Sequence, residues 1–187
     1  SNPMIEIRPL TYISEQDFHR LVIGYKSMAR YIAHKDESPE RTLLSLELQT
    51  LEQPYHKQWE SSPTEMERYN CYLSEGFSLG AFDGARLVGL ALTEPHWWNQ
   101  SLWIWEFHIE ESHRRAGVGR QIMNALSEQA RSAGFRILVL ETQNTNVPAI
   151  MFYRKVGFEI EGIDLSYYTN HDTQDGEVAI FMKRKLQ

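Results

Sequence analysis

The segment from Leu102 to Leu140 restricts the fold more than any other part of the chain. It begins as a run of aromatic and β-branched residues, Leu102–Ile109, which leads directly into the glycine-containing loop Arg114–Gly119. Apolar residues then recur at helical spacing until Gly134: Val118, Ile122, Leu126 and Ala130. Ile137–Leu140 follows as a short strand buried on both faces. A strand, a helix and a buried strand in this order predict an α/β domain with a mixed sheet flanked by helices.

The rest of the chain adds strands before this segment and a helix with two strands after it. An alternating strand is predicted at Ile5–Arg8, and Ser14 is expected to cap a helix that carries Phe18, Leu21, Val22 and Tyr25. Phe77 to Leu92 indicates a hairpin that turns at Asp83-Gly84. Pro148 lies in the first turn of a further predicted helix, which ends before Gly157. Strands are expected at 158–168 and 178–183.

Residues 36–75 give a weaker signal. Leu44, Leu46 and Leu48 alternate with polar residues, which favours a strand. Ser38-Pro39-Glu40 is also a good helix start. We predict the strand.

Composition and charge exclude several classes of protein. The 187 residues include 19 Lys+Arg and 25 Asp+Glu, so the net charge of −6 gives a nucleic-acid groove no electrostatic support. One cysteine, Cys71, allows no internal disulfide, and no apolar run is long enough to cross a membrane. We therefore expect one cytoplasmic domain over residues 4–187, with 1–3 as a cloning remnant, and no metal site.

The loop Arg114–Gly119 has the features of a phosphate site. It joins a strand to a helix start, where unpaired N–H groups and the helix dipole attract anions. It is neither a dinucleotide fingerprint, which needs glycine where Ile122 stands, nor a P-loop, which needs Gly-Lys-Ser or Gly-Lys-Thr. A plain turn that uses glycine only for its geometry is the alternative.

Charge is sorted along the chain. Five arginines and one carboxylate lie between Arg114 and Arg136, whereas six carboxylates and no Lys or Arg lie between Phe158 and Glu177. This pattern predicts a phosphate-rich ligand near the first segment and a cation near the second. Two solvated surfaces of opposite charge are the alternative.

Residues of the predicted helix that contains Pro148 share a polar face. Asn146, Ala149 and Tyr153 follow the spacing i, i+3, i+7, which is typical of a face that contacts a ligand. The alternative is an Asn that caps the helix and a Tyr that packs in the core.

These motifs together resemble the GNAT superfamily of acetyl-CoA-dependent N-acetyltransferases. Arg-x-x-Gly-x-Gly opens a helix after an aromatic strand, and Asn-x-x-Ala-x-x-x-Tyr-x-x-x-Gly-Phe follows some thirty residues later. Within the superfamily, the chain is similar to the streptothricin acetyltransferases in these residues: Leu140-Glu141-Thr142-Gln143, Phe152-Tyr153, Gly157-Phe158, Asp164 and Tyr168.

The resemblance implies a set of acetyl-CoA contacts. Arg114, Gly117 and Gly119, with the backbone of Arg115, Ala116 and Val118, would bind the pyrophosphate. The backbone of Phe107 and Ile109 would bind the pantetheine arm, Asn146 would contact or orient it, and Tyr153 would lie near the sulfur. The family usually has a small apolar residue where Phe107-His108-Ile109 stands, so His108 is a departure.

The chemistry of amide formation then needs a base and an acid. Glu106, on the strand that would deliver the thioester, is the first candidate for the base, ahead of Glu141 and Glu94. A Glu on the surface of a strand is the alternative for Glu106. Tyr153 can donate the proton that the leaving thiolate needs.

Two competing nucleophile sites are weak. Gly76-Phe77-Ser78-Leu79-Gly80 matches a nucleophile elbow, but a hairpin strand follows it where a helix is required. Cys71 has no local base. The tryptophan pairs at 97–98 and 103 and 105 are expected to pack or to line the acceptor site.

We therefore predict an N-acetyltransferase that acts on a small cationic amine, with streptothricin-type antibiotics as the first choice. The alternatives are acetylation of a protein N-terminus, a lysine or a polyamine, and a non-catalytic sensor that only binds acyl-CoA. No nucleic-acid or membrane partner is expected, and a homodimer is left open.

Overall fold

The computed structural model describes residues 4–187, and the expected cloning remnant 1–3 lies outside the described residues. The strands are β1 Ile5–Pro9, β2 Gly24–Glu37, β3 Thr42–Gln58, β4 Leu79–Asp83, β5 Arg86–His96, β6 Ser101–Ile109, β7 Ile137–Gln143, β8 Glu159–Asp164 and β9 Ala179–Lys185. The helices are α1 Glu15–Leu21, α2 Pro63–Leu73, α3 Val118–Ser132, α4 Val147–Lys155 and α5 Asp172–Asp175, and a 3₁₀ helix spans Glu111–Ala116.

The elements form a mixed α/β fold with a mostly antiparallel sheet flanked by helices, which confirms the predicted fold class. Two compact units are distinguishable. One contains the chain up to Ile23, Trp59–Val139 and Arg184–Gln187; the other contains Gly24–Gln58 and Leu140–Lys183. We call them the first and the second unit. That the chain is one domain stays a prediction.

The first unit is built on four strands in the order β1-β4-β5-β6, each antiparallel to the next. The predicted hairpin is confirmed, with Asp83 opposite Arg86 at its turn. Leu90 and Leu92 of β5 pack in a buried cluster with residues of α1 and α2, among them Phe18 and Tyr69. One face of β5 is therefore covered by these two helices.

The first helix begins as predicted and ends earlier. The Ser14 hydroxyl accepts the N–H of Asp17 at 3.0 Å, which is the expected cap. The helix stops at Leu21, and Tyr25, expected on it, lies in β2. Gly24 explains the break because its φ is +117°, and a Cβ there would lie 1.9 Å from the carbonyl oxygen of Lys57.

The second unit contains a long antiparallel ribbon. β2 and β3 pair from Gly24 opposite Gln58 to Glu37 opposite Thr42. The strand predicted around Leu44–Leu48 is thus confirmed, and Ser38-Pro39-Glu40 forms the connection, not a helix start. The clear alternation in the sequence, at Leu44–Gln49, covers only part of the 17 residues of β3.

A buried asparagine holds several backbone segments of the second unit together. The Nδ2 of Asn144 donates to the carbonyl oxygens of Tyr31 at 2.7 Å and Gly176 at 3.0 Å. Its Oδ1 accepts the N–H of Val178 at 2.8 Å. Both ends of the amide are satisfied, so Asn144 fixes β2 and the segment before β9 to the end of β7.

The strand after α4 is shorter than predicted because the chain turns on two carboxylates. β8 ends at Asp164, whose carboxylate accepts the N–H of Ser166 at 3.0 Å. Asp172 accepts the N–H groups of Tyr168 and Thr169, each at 2.8 Å. These bonds make residues 165–171 a loop, not the expected end of a strand.

The part of the chain that the structure describes has no helix both long and apolar enough to cross a membrane.

Asp172 yields a test of stability. Burial raises the pKa of this carboxyl, but the donors of Tyr168 and Thr169 outweigh it and hold the pKa below its usual range. The charged form therefore stabilises the fold above about pH 3.9, the reference value for an unfolded Asp, and the contribution is lost as the pH falls through the lower folded value. We expect Asp172→Asn to lower the Tm at neutral pH, by a margin that shrinks in acid.

Circular dichroism melting at several pH values measures this. Asp175→Asn is the matched control, because Asp175 lies in the same short helix and its carboxylate makes no hydrogen bond among the described residues. Equal Tm values for the two variants at neutral pH would contradict the role of Asp172.

Candidate active site

A β-bulge in β6 decides which side chains share a face of the sheet in the first unit. Thr93 lies opposite Ile104, and the next pair is Leu92 opposite Glu106, so Trp105 is an extra residue without a partner. Strict alternation would put Glu106 on the face of Ile104. Because cross-strand partners share a face, the bulge puts Glu106 on the face of Leu92, which α1 and α2 cover.

Both oxygens of Glu106 are engaged on this face. The hydroxyl of Tyr69 on α2 donates to its Oε1 at 2.8 Å, and the Nε2 of His108 lies 2.5 Å from its Oε2. Glu106 and His108 have 18% and 13% of their side-chain surface exposed, so both remain reachable from solvent. Glu106, predicted as a base, is thus part of a three-residue cluster with Tyr69 and His108.

The tyrosine of this cluster stays a hydrogen-bond donor. Burial and the neighbouring Glu106 carboxylate raise the pKa of Tyr69 well above its ordinary value. The hydroxyl therefore keeps its proton over the working pH range. Since α2 packs Tyr69 into the core with 5% of its surface exposed, the Glu106 carboxylate is held from a rigid element.

A second carboxylate with aromatic neighbours lies on the same face. Glu94 accepts the indole N–H of Trp105 at 3.0 Å, and the Nε2 of His96 lies 2.9 Å from the same oxygen. The rings of Trp103 and Trp105 stack at 5.3 Å, and His96 stacks on Trp103 at 5.2 Å. A half-buried carboxylate beside stacked indoles is a site that attracts an organic cation.

The loop predicted to bind phosphate has an open helix N-terminus. Gly117 adopts φ +77° directly before α3 and provides no side-chain cap. The first bond within the helix runs from the N–H of Gln121 to the carbonyl of Gly117 at 3.1 Å. The preceding N–H groups, at 118–120, have no acceptor inside the helix, so they can bind an anion.

The arginines around this N-terminus support the same interpretation. Arg114, Arg115 and Arg120 are exposed and form no ion pair among residues 4–187. Arg114 donates from Nε to the carbonyl of Ile109 at 3.2 Å, which ties the loop to the end of β6. The first turn of α3 contains no acidic residue. The local charge is therefore positive although the chain is acidic.

Glu110 anchors the start of this loop. Its carboxylate accepts hydrogen bonds from the guanidinium groups of Arg20 and Arg86, and its N–H donates to the carbonyl of Val88 at 2.7 Å. The Arg86 guanidinium holds the pKa of Glu110 below its usual range. Since successive N–H groups of a strand point to opposite sides, those of Ile109 and Phe107 point away from β5. A role of these groups toward a pantetheine arm stays a prediction.

In the second unit, Asn146 caps α4. Its Oδ1 accepts the N–H of Ala149 at 3.3 Å, and its side chain is almost fully buried. The capping alternative is therefore correct, and the Nδ2 group still offers two donors to a ligand. A role toward the pantetheine stays a prediction.

Tyr153 is buried on α4 with 9% of its surface exposed. Its ring packs edge to face on Phe152 and Phe158, at centroid distances of 5.7 and 5.9 Å. The ring is thus held in one orientation by its neighbours. Its role as an acid is not tested by this packing.

The acidic segment 158–177 is largely used by the fold. Glu177 forms an ion pair with Lys57 at 3.1 Å, and Asp164 and Asp172 hold backbone N–H groups. Only the remaining carboxylates of the segment make no such contact among the described residues: Glu159, Glu161 and Asp175. A cation near this segment stays a prediction, with one of the six carboxylates, Glu177, already paired with a lysine.

The lesser candidates are explained by local contacts. Glu141 accepts a hydrogen bond from Tyr168, whose pKa is raised by burial and by that carboxylate. Ser78, the centre of the nucleophile-elbow match, is buried and accepts the N–H of Thr93 at 2.9 Å. Within residues 4–187, no three His, Cys, Asp or Glu side chains are grouped to hold a metal ion.

Sequence reasoning missed one member of the cluster around Glu106 and one of its neighbours. Tyr69 lies in a segment where no helix was predicted. Trp59, before that helix, packs edge to face on the ring of His108. The contact between Glu106 and His108 could have been predicted from the sequence, because residues two apart on a strand share a face.

Comparison with known proteins agrees with this fold. The chain belongs to the acetyltransferase (GNAT) family, which matches residues 45–158. It is 38% identical over 96 residues to a streptothricin acetyltransferase of Streptomyces lavendulae, covering 51% of this chain and 50% of that protein. It is 33% identical over 129 residues to a streptothricin acetyltransferase of Escherichia coli, covering 68% and 69%. The match thus spans half of the first relative and about two thirds of the second.

Solved structures show the same fold. A nourseothricin acetyltransferase superposes with a TM-score of 0.67 at 24% identity, over 98% of this chain and 99% of that one. A Bacillus anthracis protein described as a streptothricin acetyltransferase, solved with acetyl coenzyme A, superposes with a TM-score of 0.73 at 22% identity, with the same coverage.

The open N-terminus of α3 generates a binding prediction. Gly119 is buried at the second position of the helix, beside the N–H groups without helical acceptors. We expect Gly119→Asp to weaken acetyl-CoA binding by more than about tenfold, because the new carboxylate competes for those N–H groups and repels phosphate. An acidic residue in the first turn favours the helix dipole, and circular dichroism checks that the variant is folded.

Isothermal titration calorimetry measures the affinity, and Gly119→Ala is the matched control that adds a methyl group without charge. We expect a smaller loss for Ala than for Asp. Unchanged affinity in Gly119→Asp would show that the pyrophosphate binds elsewhere.

Proposed function

We propose that this chain transfers an acetyl group from acetyl-CoA to a primary amine of a polycationic acceptor of the streptothricin type. The observation that carries the proposal is one face of β5 and β6. Glu106 and His108 lie on it with Glu94 and two stacked tryptophans, and Tyr69 of α2 donates to Glu106. This face offers proton-accepting groups together with a site for an organic cation. The streptothricin acetyltransferases among the relatives give the acceptor class.

The residues of the α3 loop fit acetyl-CoA. An uncapped helix N-terminus, a glycine at positive φ and three exposed arginines would form a cradle for a pyrophosphate. When bound, acetyl-CoA supplies the activated acetyl thioester. The backbone of Phe107 and Ile109 would hold the pantetheine arm, and the Nδ2 of Asn146 offers a further donor.

The chain's own groups would manage the charges and protons. An alkylamine is protonated at neutral pH, with a reference pKa of about 10.4, so it must lose a proton before it can attack. Glu94 and the indoles beside it would bind the cationic part of the acceptor. The cluster around Glu106 would accept the proton that the amine loses. Tyr153 would donate a proton to the departing sulfur.

The direct test is the release of free thiol from acetyl-CoA with a panel of amines: a streptothricin, a polyamine, a lysine peptide and a monoamine. We expect the highest kcat/KM for the streptothricin. Binding of acetyl-CoA without thiol release for any amine would favour the alternative of a non-catalytic sensor.

Tyr153 provides the first mutational prediction. We expect Tyr153→Phe to lower kcat by about 10²- to 10⁴-fold, because it removes the hydroxyl and keeps the ring. The KM for acetyl-CoA should move little, since the contacts with Phe152 and Phe158 remain. Steady-state kinetics measures both values, and a near-normal kcat would make Tyr153 a packing residue only.

Glu94 provides the second mutational prediction. We expect Glu94→Gln to raise the KM of a polycationic acceptor by about three- to tenfold while a monoamine is affected less, because the lost charge attracted the cation. Added salt should reduce the wild-type preference, since the Debye length falls from about 10 Å at 0.1 M to about 3 Å at 1 M. The glutamine retains the acceptor for the indole of Trp105.

Glu128→Gln is the matched control, because Glu128 is exposed on α3 and pairs only with Arg131. The double variant Glu159→Gln, Glu161→Gln tests the acidic segment in the same assay. If this pair raises the acceptor KM and Glu94→Gln does not, the cation binds near β8.

A further inference from the structure

We propose that His108 is the proton acceptor of the transfer reaction, through its Nδ1 atom, and that Glu106 is a positioning residue that orients the imidazole. This inference rests on the proposed function and deepens it. It changes the role predicted for Glu106, which the sequence indicated as the base itself.

The short contact between the two side chains fixes the histidine. The Nε2 of His108 lies 2.5 Å from Oε2 of Glu106. A carboxylate only accepts hydrogen bonds, so in this pair the imidazole proton is on Nε2. The lone pair of the neutral ring is then on Nδ1, which has no hydrogen-bond partner among the described residues. Nδ1 is therefore available to accept a proton.

Tyr69 completes the arrangement from the opposite side. Its hydroxyl donates to Oε1 of Glu106 at 2.8 Å, and the pKa of that hydroxyl is raised, so it remains a donor. With one oxygen on Tyr69 and the other on His108, the carboxylate is occupied within the protein. A nucleophile or base that is oriented by a third group is the pattern found in catalytic triads.

The packing keeps the imidazole ring in place. Trp59 contacts it edge to face, with ring centroids 5.4 Å apart and planes at 77°. The backbone of Trp59 is held by an N–H bond to the carbonyl of Ile23 at 3.4 Å. His108 thus has a defined ring plane while 13% of its side chain is open to solvent.

The chemistry favours an imidazole over a carboxylate as the acceptor at neutral pH. The neutral ring can take a proton on Nδ1 and keep its bond to Glu106, whereas both oxygens of Glu106 already accept hydrogen bonds from Tyr69 and His108. A carboxylate beside the imidazole stabilises the imidazolium that forms.

The step balances in atoms and charge. The neutral amine nitrogen bonds to the acetyl carbonyl carbon, and one of its protons passes to Nδ1 of His108. The carbon–sulfur bond breaks, and the sulfur takes the proton that the Tyr153 hydroxyl would donate, which water then replaces. The products are an amide and a free thiol. The proton on His108 then passes to water.

The first experiment is chemical rescue. We expect His108→Ala to lower kcat by about 10²- to 10⁴-fold, with little change in the KM for acetyl-CoA, and added imidazole to restore part of the rate. Glu106→Gln and Tyr69→Phe should lower kcat less than His108→Ala does. Added imidazole should not rescue these two variants, because both retain the ring of His108. His19→Gln, in an exposed His–Glu pair on α1, is the matched control.

Two results would overturn the assignment. One is a kcat for His108→Ala within about threefold of wild type while Glu106→Gln is inactive, since Glu106 would then be the base. The other is a large loss in His108→Ala without rescue when His108→Gln, which keeps the volume and a polar end, is nearly as active as wild type. In that case the histidine has only a structural role.

The second experiment needs no bound substrate. Nitrogen NMR of the protein labelled in its histidines, at about pH 8, distinguishes the two neutral tautomers of His108. We expect the proton on Nε2 and the lone pair on Nδ1, and a proton on Nδ1 would overturn the inference. An inactive wild type with this tautomer would count against the proposed function and not against the His108–Glu106 geometry.

Discussion

The extra residue in β6 is the constraint on which the candidate site depends. Because Trp105 has no partner on β5, the strand changes face between Ile104 and Glu106. Without this bulge, the carboxylate of Glu106 would lie on the opposite face, away from Tyr69. A bulge costs a ladder hydrogen bond and is retained where it re-aims a side chain. Here it gathers two carboxylates, two histidines and the stacked indoles on one surface.

The hydrogen bonds of Glu106 connect this surface to the core. Tyr69 reaches it from α2, a helix capped by Ser62 through the N–H of Glu65 at 3.2 Å. The same helix buries Leu73 against the cluster that contains Leu90 and Leu92. The reactive groups are therefore attached to elements that the hydrophobic core already holds. A side chain is held in place with little further loss of conformational entropy when its partners are already ordered.

Phosphate binding at the loop before α3 stays a prediction, and it would rest on a different physical principle. It would not depend on a special side chain, because the N–H groups of the first turn of α3 are donors without acceptors inside the helix. Gly117 stands at the N-cap, where a Ser or Asp side chain would have accepted one of these N–H groups. The Glu110 network with Arg20 and Arg86 then fixes where this helix starts relative to the end of β6.

The sequence by itself determined the fold class and the family, because these depend on local patterns. Periodic apolar residues set α3, and the motif around Gly117 and Gly119 and the motif from Asn146 to Tyr153 are each read from a short stretch of sequence. The cap at Ser14 and the hairpin at Asp83-Gly84 are local for the same reason.

Only the tertiary structure decided what surrounds Glu106. A strand sequence carries alternation but does not show a bulge, so the face of Glu106 could not be read from it. Tyr69 and Glu106 are separated by 37 positions, and their contact exists because α2 packs on β5 and β6. The acidic segment shows the same limit. Its charges appeared free in the sequence, but Asp172 and Glu177 are engaged by backbone and by Lys57, partners that only folding brings within hydrogen-bond distance.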